Sequence, residues 1–156
     1  MTWYPDLSKY SYLEESIPPG ETILNVGWLD SQHDFPVGDP PDGFLEALKE
    51  MCAGNAHART RGWHACNLPH AQQLDYPCTI EVSGEKIPLG SAEIRIAAED
   101  GAIISAPNLV LHYVDYHRYL PPDVFIEAVL AHRGVTLQAR SGKPPGIVAL
   151  SGGGAV

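Results

Sequence analysis

The most regular hydrophobic pattern in the chain spans residues 106–134 and predicts two consecutive amphipathic helices. Apolar residues recur there at intervals of three and four, the spacing of one helix face. Pro107 fits the first helical position, where a missing N–H is harmless, and Gly134 is placed to end the second helix. The two stripes comprise Leu109, Val110, Tyr113, Val114 and Tyr116, then, after Pro121-Pro122, Val124, Phe125, Ala128, Val129 and Ala131. We expect a helical hairpin over residues 107–133, with Phe125 and Val129 buried.

The upstream part of the chain predicts short strands. Three stretches have strand patterns: residues 22–29, 78–82 and 92–97. The last alternates cleanly, so Ile94 and Ile96 are expected to face the core while Glu93 and Arg95 face solvent. An Asp-Gly turn after it favours a hairpin with residues 102–105.

One further helix and two irregular ends complete the predicted fold. Residues 43–53 place Phe44, Leu45, Leu48 and Met51 on one helix face. Residues 1–20 predict an irregular arm whose aromatic rings lie against the body. The class expected is α+β, a small and mainly antiparallel sheet packed against the C-terminal helical hairpin. Residues 1–140 are expected to form a single compact domain, and residues 141–156 a flexible tail in which 147–150 could add an edge strand.

Composition and charge narrow the classes of partner. The 156 residues have a formal net charge of −9, which disfavours nucleic acid and anionic membranes because phosphate binding needs a positive surface. An acidic surface suits a basic protein partner, although it also suits solubility alone. Three cysteines and a non-apolar N-terminus indicate a cytoplasmic protein with reduced thiols.

The densest group of potential metal ligands lies in residues 61–70. His64, Cys66 and His70 fall within seven positions, and the first predicted helix of the hairpin adds His112 and His117. Cysteine and histidine are the preferred donors for zinc, and four of them close a structural tetrahedral site. We expect His64 and Cys66 to lie near a helix histidine, with Trp63 anchoring the segment to the body.

The same residues have a plainer interpretation. The spacing matches no standard zinc motif, since position 69 is Pro69 rather than a second cysteine. His112 and His117 are five residues apart, about 140° around a regular helix, so both cannot easily reach one metal. Hydrogen-bonded histidines and a buried thiol therefore remain the alternative to a bound metal, and zinc is the only cofactor that the sequence indicates.

A second polar set lies on the same helix. His112, Asp115, Tyr116 and Tyr119 lie along one side, and Asp115 could orient a histidine for acid–base work. The alternative is that the tyrosines anchor the hairpin and Asp115 is solvated. Nucleotide-binding, nucleophile-elbow and His-Glu-x-x-His motifs are absent from the sequence.

Several segments together resemble a family of small, uncharacterised bacterial proteins, mostly actinobacterial, that share a domain of unknown function. The segments include YPDLSKY, LNVGWLD, HDFPVG, RGWHAC, LGSAEIRI, SAPNLVLHYVDYH and YLPPDVFIEAVL. The resemblance covers about residues 4–133 and implies a compact α+β domain, with no activity attached. Relatives have a second cysteine shortly after the His-x-Cys element. The resemblance thus implies that His70 replaces a cysteine donor or that this chain has lost the metal.

Two functions follow as hypotheses. The first is an acidic protein that acts by protein–protein binding, as immunity or accessory proteins do. A bound zinc ion could stabilise its fold. The second is a small metal-dependent enzyme that uses His64, Cys66 and His70 with a helix histidine. Coordination number separates them, because structural sites are closed whereas catalytic sites keep a water.

Overall fold

The computed structural model describes residues 3–11, 20–54, 64–72 and 78–131, and the strands at 135–137 and 147–149. The strands are β1 (Ile23–Asn25), β2 (Thr79–Val82), β3 (Glu85–Pro88), β4 (Glu93–Ala97), β5 (Ile103–Pro107), β6 (Val135–Leu137) and β7 (Ile147–Ala149). The helices are α1 (Phe44–Gly54), α2 (Val110–His117) and α3 (Asp123–Leu130). The Trp63 anchor, the Gly134 helix end and most of the predicted tail lie outside the described residues.

The central sheet has three strands in the order β1-β5-β4. β5 pairs antiparallel with β4 through the predicted hairpin and parallel with β1, where Ile23 lies opposite Ile103. Two further antiparallel pairs, β2 with β3 and β6 with β7, lie outside this sheet. The α+β class and the mainly antiparallel pairing are therefore confirmed. The strand at the C-terminus pairs with β6 and not with the central sheet.

One face of the central sheet packs against the helices. Ile94, Ile96, Ile104 and Ala106 project from β4 and β5 into a single apolar core with all three helices. α1 contacts both α2 and α3, so the two C-terminal helices are held against a common neighbour. Phe125 and Val129 are fully buried there, as predicted. Each helix in the described part of the chain is too short or too polar to cross a membrane.

The opposite face of the sheet corrects the prediction for β4. Glu93 and Arg95 are buried, each with about 3% of its surface exposed. The N-terminal arm covers this face, and Tyr10 donates a hydrogen bond to Glu93 at 2.7 Å. Ser105 on β5 donates to the same carboxylate at 2.6 Å. Alternation in a strand shows which residues share a face, but not whether another segment covers the polar face.

The start of α2 and the exposure of three side chains also differ from the prediction. Pro107 is the last residue of β5 opposite Glu93, and not the first helical residue; α2 begins three positions later, after Leu109. Tyr116 and Val124, expected on the apolar stripes, are each more than two-fifths exposed, and Ala131, also expected there, is exposed after the end of α3. The remaining stripe residues of α2 lie in the core.

Gly27 sets the distance between the sheet and α2. It follows β1 with φ of 80°, in the left-handed region that favours glycine. A Cβ atom built there would lie 2.7 Å from the Val110 Cγ2 atom. The close approach of this backbone to α2 therefore requires a residue without a side chain.

Candidate metal centre

The segment 64–70 is extended, and its side chains alternate between protein and solvent. Cys66 and His70 are half-buried and Leu68 is buried, whereas Asn67 and Pro69 are exposed. Leu68 joins the main apolar core. This period of two is that of an extended chain with one face turned inward. Burial of Leu68 therefore turns the two potential ligands beside it toward the helices.

The start of this segment is held by backbone contacts to the loop before β4. The His64 N–H donates to the Gly90 carbonyl at 2.8 Å, and the Gly90 N–H donates to the Asn108 side chain at 2.8 Å. Gly90 has φ of 109°, and a Cβ atom there would collide with the His64 carbonyl. A glycine at position 90 thus allows the segment to approach the sheet closely.

His112 and His117 of α2 both place a ring nitrogen in one group of donor atoms. This corrects the expectation that the two histidines cannot easily reach one metal. Arg118 is left-handed, with φ of 57°, and its N–H bonds to the Tyr113 carbonyl. That bond spans five residues where a regular turn spans four, so the last turn is wider. In a wider turn, His112 and His117 come closer to one side than the 140° of a regular helix implies.

Four donor atoms converge between the segment and the helix. They belong to Cys66, His70, His112 and His117, and all lie within 4.8 Å of one another. His70 Nε2 is 3.0 Å from His112 Nε2 and 3.1 Å from His117 Nε2. Cys66 Sγ is 3.3 Å from His117 Nε2. Two elements that are distant in sequence thus supply two donors each.

Hydrogen bonding among these side chains does not satisfy all the close contacts. A ring nitrogen of a neutral histidine either donates one hydrogen or offers one lone pair. His70 Nε2 has two Nε2 neighbours at hydrogen-bonding distance, so one ordinary hydrogen bond accounts for only one of them. A cation that accepts all the lone pairs would satisfy the whole group.

Burial favours the neutral imidazoles of His112 and His117 and the protonated thiol of Cys66 when no metal is bound, through its effect on each pKa. Burial, reinforced by the neighbouring histidines, lowers the pKa of His112 to about 4. The same causes lower the pKa of His117 to about 4. Burial raises the pKa of Cys66 to about 11. The two imidazoles are therefore ready to bind a metal at neutral pH, whereas the thiol must release a proton.

These shifts predict that the metal-free protein loses stability in mild acid. A histidine whose pKa falls from about 6.5 when unfolded to about 4 when folded binds more protons in the unfolded state. Stability then decreases as the pH falls from about 6.5 to 4. Urea unfolding in chelator at pH 7, 6 and 5 would measure this loss. His117→Gln should reduce the pH dependence. Equal unfolding free energies at pH 7 and 5 would contradict the pKa shifts.

The other predicted site residues lie outside the group of four. His64 is half-buried, and the structure does not include it in the cluster. Asp115 is exposed, and its side chain makes no hydrogen bond to a described residue. Tyr116 contacts the cluster instead: its ring centroid is 4.8–5.5 Å from those of His70, His112 and His117. The Ala71 N–H donates to its hydroxyl at 3.0 Å, which ties the residue after His70 to α2.

A cleft beside the cluster was not predicted from the sequence. It has a volume of about 360 Å³ and lies between the loop of residues 30–37, the Leu68-Pro69 pair and His117. His117 thus contributes to both the donor group and the cleft. The loop has no periodic pattern, and no residue spacing indicates that it meets the segment near His70.

Comparison with known proteins identifies a family and no relative of known function. A family model described as Domain of unknown function (DUF7919) matches residues 2–130. No curated protein matches the chain, and no solved structure does.

Proposed function

The chain belongs to the family of the domain of unknown function DUF7919. We propose that it binds one zinc ion, which stabilises its fold, and that it acts by binding another protein. The observation that supports the zinc site is the convergence of four donors, Cys66, His70, His112 and His117, within 4.8 Å. We also propose that the partner is a basic protein, that the protein is cytoplasmic and that its family is mostly actinobacterial.

The spacing of the donors suits a tetrahedral zinc ion. Bonds of about 2.0–2.1 Å to nitrogen and 2.3 Å to sulfur give a tetrahedron with edges of about 3.3–3.6 Å. Three of the six donor separations, at 3.0, 3.1 and 3.3 Å, are close to those edges, and all six lie within 4.8 Å. One thiolate with three imidazoles is a borderline-soft set that suits zinc better than magnesium or calcium, which prefer oxygen.

A complete set of four protein donors favours a structural role for the ion. With four protein ligands no coordination position is left for water, and such closed sites stabilise a fold instead of catalysing a reaction. The ion would fasten the segment around Leu68 to α2. Binding of a protein partner is supported by the net charge of −9, which favours association with a basic surface.

A metal-dependent enzyme is the second candidate, and the cleft beside His117 is the observation that favours it. If one of the four donors stayed unbound, a water on the ion could take its place, as in catalytic zinc sites. Coordination number therefore decides between the two functions.

Metal analysis of the purified chain tests the proposal directly. We expect about one zinc ion per chain and an X-ray absorption spectrum with a first shell of about one sulfur and three nitrogens. Cys66→Ala and His70→Ala should lose the zinc, whereas His33→Gln should retain it. A protein without zinc that takes none up would contradict the site. A spectrum without sulfur, or with fewer than three imidazole rings, would support the enzyme, because water fills the open position of a catalytic site.

A further inference from the structure

The cleft between residues 30–37, Leu68-Pro69 and His117 has the charge and shape of a docking site. We propose that it receives a lysine or arginine side chain of a basic protein partner, an inference that rests on the proposed protein-binding function and assigns it a place on the surface.

The cleft contains two carboxylates, one paired with His33 of the cleft wall and one free for an external cation. Asp30 and Asp34 both line it, and no lysine or arginine among the described residues does. Asp30 is engaged locally, since His33 Nδ1 lies 2.7 Å from its Oδ1 atom. Asp34 is exposed and makes no hydrogen bond or ion pair within the described part of the chain. The nearby Arg118 is paired with Asp39 at 3.0 Å, so the charge of Asp34 is available to an external cation.

Apolar residues form the rest of the wall. Phe35 and Pro69 line the cleft with Leu68, and Val37 lines it with 60% of its surface exposed. Lysine and arginine have long hydrocarbon stems below their charged groups and pack on apolar surface while the charge meets a polar group. A volume of about 360 Å³ is within the range of small ligand pockets. The cleft thus offers apolar surface for the stem of a basic side chain and a carboxylate for its charged group.

The metal centre forms part of this wall. Leu68 and Pro69 lie between the ligands Cys66 and His70, and the His117 Nε2 atom points into the donor group. Zinc on Nε2 would place the ring proton of His117 on Nδ1 and fix the ring. It would also add positive charge, which opposes a cation. We expect the gain in affinity from a fixed His117 ring to exceed the loss from the added charge. Zinc would then strengthen binding of the basic side chain.

Binding of an octalysine peptide, followed by fluorescence anisotropy at about 0.15 M salt, tests the docking site. Asp34→Asn should weaken binding about threefold to fivefold, the loss of one exposed ion pair. Val37→Thr should also weaken it. The matched controls, Asp123→Asn and Val124→Thr, change the same residue types on the exposed face of α3 and should leave the affinity unchanged. Equal weakening by Asp34→Asn and Asp123→Asn, or none by either cleft variant, would overturn the docking site.

The zinc dependence is measured in the same assay with loaded and chelator-treated protein. We expect zinc to tighten octalysine binding at least about fivefold, and the peptide to tighten zinc binding by the same factor because linkage is reciprocal. Weaker binding of the peptide to loaded protein would overturn the coupling. If the chain takes up no zinc but the cleft variants still bind octalysine more weakly, the proposed zinc site is wrong. The docking site is then supported independently of the metal.

Discussion

We expect removal of zinc to lower the melting temperature of the protein by about 8–16 °C. An ion that binds only the folded chain stabilises it by about 4 kcal/mol when free zinc is a thousand times its dissociation constant. In a domain of this size each kcal/mol corresponds to about 2–4 °C. The donor set exists only after folding, because His70 and His112 are 42 residues apart in the chain. The whole free energy of zinc binding therefore stabilises the folded state relative to the unfolded one.

Calorimetry of the loaded protein with and without a chelator measures this shift. Cys66→Ala should melt near the temperature of the chelated wild type and should not respond to added zinc. His33→Gln keeps all four donors and should show the wild-type response. A melting temperature that the chelator does not move would mean that the cluster holds no stabilising ion, and the histidines would then be hydrogen-bonded residues.

The sequence predicted the positions of helices and strands better than it predicted which of their faces other segments bury. Spacing of three and four identified the helices, because each buries one stripe against the sheet. Alternation identified β4 as a strand, but it placed Glu93 and Arg95 in solvent. Their burial depends on Tyr10, more than eighty residues away. Such coverage by a distant segment leaves no local periodic signal.

The candidate site could be anticipated by residue type and only partly by geometry. Cysteine and histidine at positions 64, 66, 70, 112 and 117 indicated a shared metal, and the structure brings together all of them except His64. Regular helix geometry argued against His112 and His117 meeting, and the bond from Arg118 to Tyr113 changes that geometry. Cys66, Leu68 and His70 are two positions apart in the sequence. In an extended segment this spacing indicates that the three side chains lie on the same side. The cleft depends on two irregular loops, for which no spacing rule exists.

The second large effect concerns the core. Phe125→Ala should reduce the free energy of unfolding by about 3–5 kcal/mol, because deleting a buried ring loses its transfer free energy and leaves a cavity. Phe125 is fully buried on α3. Its ring meets Phe44 of α1 edge to face, with centroids 6.2 Å apart and planes at 70°, so the substitution also removes an aromatic pair.

This loss is a large part of the 5–15 kcal/mol that stabilises a typical domain, and urea unfolding of zinc-loaded protein would measure it. Val124→Ala is the matched control, since it shortens the neighbouring side chain on the same helix where 41% of it is exposed. A surface substitution of this kind is expected to change stability by less than about 0.5 kcal/mol. Equal effects of the two substitutions would mean that α3 does not pack against α1. A large loss for Phe125→Ala alone would show that the packing of α3 against α1 carries a large part of the stability.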